Sequence, residues 1–200
     1  MIRFCDIVLS LFGIIILSPL FVIIYLLIIF ESKGGGIYVQ ERIGKDFQLF
    51  NLYKFRSMYI GADKHGLITV GGRDPRTTRM GFFLRKYKID ELPQLFNVLK
   101  GDMSMVGPRP EVRKYVEMYN DDQKKVLSVR PGVTDYASID YVDENVLLGT
   151  AADPEKMYIE TIMPDKIRRN MRFVENQTIK EYFRIIFLTL KHIIKPDEMN

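Results

Sequence analysis

The sequence predicts a mostly helical α+β protein with a membrane-embedded N-terminal segment and a small β-hairpin. Three observations lead there. Ile7 to Phe30 contains no charged residue and is mostly aliphatic. Two stretches rich in β-branched and aromatic residues flank the turn Gly44-Lys45-Asp46. Downstream, apolar residues recur at helical spacing among lysines and arginines.

The 200 residues, 47% hydrophobic, suffice for one sizeable core and not for two full domains. A net charge of +4 suits a nucleic acid, a phosphorylated substrate or an anionic membrane surface, so position must decide among them. Cys5 is the only cysteine, which excludes an internal disulfide and fits a reducing compartment. Its simplest role is that of a small apolar residue.

At about 1.5 Å per residue, the run from Ile7 to Phe30 is long enough to cross a hydrocarbon core of about 30 Å. Glu31, Ser32 and Lys33 follow directly, with no small-residue cleavage site, so the segment is expected to be retained. Ser18-Pro19 divides it near its middle. Pro19 removes a backbone donor and collides with the carbonyl of Ile15, and the Ser18 hydroxyl is placed to bond a carbonyl so freed. The physics leaves two arrangements open: a kinked spanning helix, or a re-entrant hairpin that enters and leaves on one face. Arg3 precedes the run and Lys33, Arg42 and Lys45 follow it, so the distribution of positive charge does not demand a crossing.

Gly34-Gly35-Gly36 forms a joint, and the strands are expected over 37–42 and 47–58. In the second, Lys54 and Arg56 share a parity and project from one face, either to solvent or to a phosphate. Residues 61–76, including His65, read as loop. Thr78 is placed to cap a helix through about Tyr87, whose Phe82, Phe83 and Leu84 alternate with Arg79, Arg85, Lys86 and Lys88. That mixture suits either a membrane-surface helix or a core helix with a basic outer face. Asp90 is placed as the N-cap or first-turn acid of the next helix, with Pro93 in its opening turn, Leu92, Leu95, Phe96 and Leu99 as its stripe and Gly101 as its stop. Gly107-Pro108-Arg109-Pro110 is a rigid turn, and Pro110 is suited to start a helix in which Arg109 and Arg113 lie four apart. Arg130-Pro131-Gly132 is another turn. Residues 135–165 give little periodicity. Ile179 to Ile194 is a basic amphipathic helix, ended by Pro196.

The generic nucleotide and zinc signatures GxxxxGK[ST], GxGxxG, paired CxxC and HExxH are missing. The candidate site is instead Asp90-Glu91 with the cations Lys54, Arg56, Arg85, Arg109 and Arg113. Two adjacent carboxylates repel a phosphate unless a divalent cation such as magnesium bridges them to it. An aspartate there can also attack phosphorus. The competing explanation is capping alone, since acids are favoured at helix starts without any catalysis.

The ordered string Lys54-Phe55-Arg56-Ser57-Met58, Thr78-Arg79-Met80-Gly81, Leu84-Arg85-Lys86 and Ile89-Asp90-Glu91-Leu92-Pro93-Gln94 through Gly107-Pro108-Arg109-Pro110 resembles the bacterial sugar transferases, the monotopic phosphoglycosyl transferases. The similarity runs over about residues 1–132 and is dense over 78–110. The short length looks like the small PglC type of protein glycosylation pathways. The resemblance implies transfer of a phospho-sugar from a UDP-sugar to undecaprenyl phosphate, with release of UMP and a need for magnesium. It implies Asp90 as nucleophile and Glu91 as its assistant; both are expected to hold the metal, and the five cations to bind substrate phosphates. It also implies a re-entrant helix over 1–33, with a catalytic domain over 34–200 at the cytoplasmic face of the bacterial inner membrane. The expected partners are membrane lipids, undecaprenyl phosphate and a UDP-sugar, with UDP-N,N'-diacetylbacillosamine as the expected donor, and no nucleic acid. The expected pathway is N-linked glycoprotein assembly. The sequence departs from the family after Arg130-Pro131-Gly132, where Thr134-Asp135-Tyr136-Ala137 replaces a common Thr-Gly-Trp-Ala pattern. A rival of another class is a non-catalytic adaptor whose basic helices bind anionic lipid or a partner glycosyltransferase.

Overall fold

The computed structural model describes residues 1–66, 68–71, 74–141 and 144–194. Its first element, α1, is a helix over Ile2–Glu31 with Pro19 inside it. Pro19 has no N–H to give to the carbonyl of Ile15, and the Ser18 hydroxyl donates to that carbonyl at 2.8 Å. The acceptor left over by the proline is thus satisfied locally, as an apolar medium requires. Phe12, Ile15, Val22, Ile23 and Phe30 stand exposed along the helix. By length and composition it is able to cross a membrane.

Both ends of α1 dock on the same folded body. Near its start, Arg3 donates to the carbonyl of Leu99 at 2.8 Å and to that of Val98, at the end of the helix α3 (Gln94–Lys100). Asp6, only 1% exposed, accepts from Ser104 Oγ, the Met105 N–H and the Tyr182 hydroxyl, each at 2.9 Å. Near its other end, Ile24 and Ile28 are buried with Phe55 and Leu84. Between them, the Phe21 ring meets those of Phe55 and Phe96 at 5.6 and 5.9 Å.

The antiparallel hairpin is formed by β1 (Ile37–Ile43) and β2 (Leu49–Phe55), with Tyr38 opposite Lys54. Its connection carries a tight 3-10 turn over Lys45–Phe47, in which Asp46 adopts φ 52°, as the turn residues predict. After a loop with a short 3-10 turn at Ala62–His65 comes α2, Arg79–Lys86. Thr78 Oγ1 accepts from the N–H of Gly81 at 2.9 Å, the expected cap. Helix α3 ends at Gly101, whose φ of 98° is the left-handed stop that favours glycine.

Among the described residues, the second half is mostly helical and carries a short parallel pair of strands, β3 (Ser104–Val106) and β4 (Gly132–Thr134). Helices α4 (Arg113–Val116), α5 (Asp121–Lys124), α6 (Tyr136–Asp140), α7 (Glu144–Gly149) and α8 (Pro154–Met157) are short. A π-helical turn at Tyr158–Ile162 leads into α9 (Met163–Glu175). The main core lies here, around Tyr115, Val126, Leu148, Ile162 and Ile167. Helix α10 spans Ile179–Ile194, buries Tyr182 and Ile185, and leaves Phe183, Phe187 and Leu190 exposed. The stop expected at Pro196 lies outside the described residues.

One sequence expectation is corrected. Arg109 and Arg113 do not share a helix, because Glu111 is extended and bridges Ile43, the Ile43 N–H donating to the Glu111 carbonyl at 3.0 Å. The helix therefore starts only at Arg113, with Val112 as its cap. The segment 135–165 shows little periodicity in the sequence, and its described residues form mostly short helical pieces.

Candidate active site

The loop between α2 and α3 carries the site. Lys88 takes the left-handed conformation (φ 56°), ends the path of α2, and starts a 3-10 turn over Ile89–Glu91. Asp90 and Glu91 thus lie ahead of α3, whose cap position is occupied by Pro93. Neither acid is an N-cap, which corrects that half of the expectation, but both lie in the first turn of the 3-10 helix as its acids; α2 stops by a backbone reversal, and no side chain caps the turn or α3.

Glu91 is held by two cations. Arg109 donates to both of its oxygens, at 3.0 Å from Nη1 to Oε2 and again from Nη2 to Oε1. Lys54 Nζ reaches Oε1 at 3.2 Å. Burial works against ionisation of Glu91, but the Arg109 and Lys54 charges outweigh it and hold the carboxyl well below its ordinary range. The Arg109 guanidinium is in turn raised, chiefly by Glu91. Burial lowers Lys54, and Glu91 partly offsets this.

Asp90 is in the opposite state. It is 6% exposed, and its Oδ1 is buried without a hydrogen-bond partner. Burial raises its pKa, the neighbouring Glu91 charge raises it further, and Lys54, Arg85 and Lys88 oppose both. One turn therefore holds an acid fixed as an anion beside one left unpaired. Separation of two carboxyls in this way is a hallmark of reactive sites.

Of the other predicted cations, Arg85 donates to Thr69 Oγ1 at 2.7 Å while its charge favours the Asp90 carboxylate. Arg56 is placed elsewhere. Although it shares the parity of Lys54, it follows β2 and is buried against the carbonyls of Ser32, Lys33 and Gly35, at 2.9, 2.9 and 2.7 Å. It fastens the glycine joint after α1. Arg113 is exposed on α4, and no hydrogen bond or ion pair among the described residues ties it to the two acids. The geometry brings together Asp90, Glu91, Lys54 and Arg109, with Arg85 adjacent.

Arg109 is aimed by features that periodicity does not reveal. A Cβ on Gly107 would lie 2.3 Å from the Arg130 carbonyl oxygen, and one on Gly132 2.1 Å from the Gly107 nitrogen. Only glycines let the two turns approach so closely. The Arg109 N–H then donates to Asp135 Oδ2 at 2.7 Å, and Asn170 Nδ2 donates to the same oxygen at 3.1 Å. Asp135, in the stretch that departs from the family pattern, thus positions Arg109. Its only sequence signal is a cap residue before α6, where it accepts from the Ser138 N–H.

Among the described residues, no group of three or more His, Cys, Asp or Glu side chains could hold a metal ion. Magnesium is often held by one or two carboxylates with substrate phosphates and water completing its shell. The Asp90 carboxylate, which no hydrogen bond among the described residues occupies, fits that pattern, whereas both oxygens of Glu91 are already engaged.

Known proteins resemble this chain over most of its length. A putative undecaprenyl-phosphate N-acetylgalactosaminyl 1-phosphate transferase of Bacillus subtilis (strain 168) is 50% identical over 120 residues, 60% of this chain and 67% of that protein. The UDP-N-acetylgalactosamine-undecaprenyl-phosphate N-acetylgalactosaminephosphotransferase of Aeromonas hydrophila is 37% identical over 96% of this chain and 43% of its own length. An undecaprenyl-phosphate glucose phosphotransferase of Komagataeibacter xylinus is 33% identical over 96% of this chain and 35% of its own. The chain thus spans less than half the length of the last two. The bacterial sugar transferase family model matches residues 1–196. The match takes in the acids, the cations that hold Glu91 and the helix that precedes them, and the chain belongs to the bacterial sugar transferase family.

Proposed function

We propose that this protein transfers a sugar phosphate from a UDP-sugar to undecaprenyl phosphate in two steps through Asp90. The observation that carries this reading is the buried, unpartnered Asp90 Oδ1 beside a Glu91 whose charge is already neutralised. In the first step Asp90 Oδ1 attacks the sugar-bearing phosphorus. An oxygen–phosphorus bond forms to Asp90, the bond from that phosphorus to the bridging oxygen breaks, and UMP leaves with the bridging oxygen and its electron pair. In the second step a phosphate oxygen of undecaprenyl phosphate attacks the same phosphorus, and Asp90 leaves as carboxylate. Lys54 and Arg109 bring two positive charges against the single negative charge of Glu91, so the surroundings of Asp90 favour an anionic substrate. Magnesium held at Asp90 would supply charge neutralisation to the diphosphate.

Helix α1 supports a membrane location. A straight spanning helix carries its ends to opposite sides of a bilayer, whereas here Arg3 and Asp6 at one end and Ile24 and Ile28 at the other dock on one domain. This supports a re-entrant element over 1–33, with the domain 34–200 seated on the cytoplasmic face of the inner membrane. Exposed Phe82, Phe83, Phe187 and Leu190 would join it at the surface. There undecaprenyl phosphate is within reach from the bilayer.

The relatives are named for N-acetylgalactosamine and glucose, which supports the UDP-sugar class. The resemblance to the PglC type points within that class to UDP-N,N'-diacetylbacillosamine and to N-linked glycoprotein assembly. A panel of UDP-sugars, each assayed with undecaprenyl phosphate for UMP release, tests both levels. Release with one donor fixes the sugar, and no release with any donor favours the membrane adaptor.

A further inference from the structure

Gln94, the first residue of α3, is 2% exposed, yet its Nε2 has no hydrogen-bond partner. Asp90 Oδ1, four residues earlier, is likewise buried and unpartnered. A buried amide donor without an acceptor is destabilising, and such groups are few in folded proteins. An orphan donor and an orphan acceptor only one turn apart, not bonded to each other, mark a place prepared for something that engages both.

We propose that Gln94 Nε2 binds a non-bridging oxygen of the phosphoryl group that Asp90 attacks. A phosphoryl group meets both needs, since its phosphorus is the electrophile for Oδ1 and its non-bridging oxygens are acceptors for an N–H. The choice of a neutral amide is informative. A lysine or arginine there would pair with Asp90 and lower its nucleophilicity, whereas an amide stabilises negative charge on the phosphoryl oxygens and leaves the carboxylate free. Neither Arg109 nor Lys54 is equivalent, because both are committed to Glu91. This inference rests on the transferase reading and adds a residue to its site.

The test compares wild type, Gln94→Met and Gln94→Glu for UMP release, with thermal melts of each in the same detergent. Methionine conserves shape and removes the unmatched donor, so the melting temperature of Gln94→Met should hold or rise while kcat/KM falls about 30- to 100-fold. Glutamate sets a negative charge against the phosphoryl oxygens and should be slower still. A merely structural glutamine gives the opposite pattern, a lower melting temperature or no folded protein with Gln94→Met, and that result overturns the proposal. So does a Gln94→Met activity within about threefold of wild type, or Gln94→Glu outperforming Gln94→Met. If wild type itself releases no UMP with any UDP-sugar, the transferase reading fails first and takes this one with it, whereas an active wild type confines any failure to Gln94.

Discussion

Arg109 donates to both carboxylate oxygens of Glu91, and its own backbone N–H is held by Asp135 at 2.7 Å. The acid next to Asp90, the proposed nucleophile, is thereby paired and fixed, whereas Asp90 Oδ1 is buried without a partner. Arg109→Ala leaves Glu91 with Lys54 as its remaining ion-pair partner. Breaking a buried pair costs about 3–5 kcal/mol, and with the Arg109 side chain 34% exposed the expected loss is about 2–3 kcal/mol. Thermal or denaturant unfolding measures it. Arg109→Lys should also lose activity, since an ammonium does not reproduce the two-pronged bond.

The raised pKa of Asp90 fixes the sign of two pH effects. An unfolded aspartate titrates near about 3.9, and burial first, then Glu91, move the folded value upward. Its ionisation therefore costs stability, with the penalty absent below the unfolded value and complete once pH has risen through the folded one. Asp90→Asn should melt higher than wild type at neutral pH, and the difference should shrink on acidification. The rate of the first step should rise with pH through the folded value and then level off. An Asp90→Asn protein that melts lower than wild type at neutral pH contradicts this.

The two docked ends of α1 predict its topology. In a Cys5→Ser background, Ile2→Cys and Gly35→Cys should both react with a membrane-impermeant thiol reagent added from the cytoplasmic side. Reaction from opposite sides contradicts the re-entrant arrangement.

Much of this fold is legible in the sequence because its signals are local. Thr78 caps α2, Gly101 stops α3, and Gly44-Lys45-Asp46 turns the hairpin, each through backbone chemistry within a few residues. The acids at 90 and 91 are equally visible, but their geometry is not. Their placement in a 3-10 turn depends on the reversal at Lys88, and their opposite states depend on Arg109, 18 residues away, and Lys54, 37 residues away. Strand parity pairs Lys54 with Arg56, yet parity lapses where β2 ends at Phe55, and Arg56 turns to the joint after α1. Asp135 and Gln94 escape for a different reason. One acts through the backbone of another residue, and the other is distinguished by a missing partner, which only three-dimensional structure reveals.

The covalent role of Asp90 is tested most directly by intact-mass measurement after incubation with the UDP-sugar that supports UMP release, in magnesium and without lipid acceptor. Wild type should gain the mass of one phospho-sugar, lose it on addition of undecaprenyl phosphate, and show no gain as Asp90→Asn. An unmodified wild type that nevertheless turns over, or an Asp90→Asn protein that keeps its activity, would contradict the account.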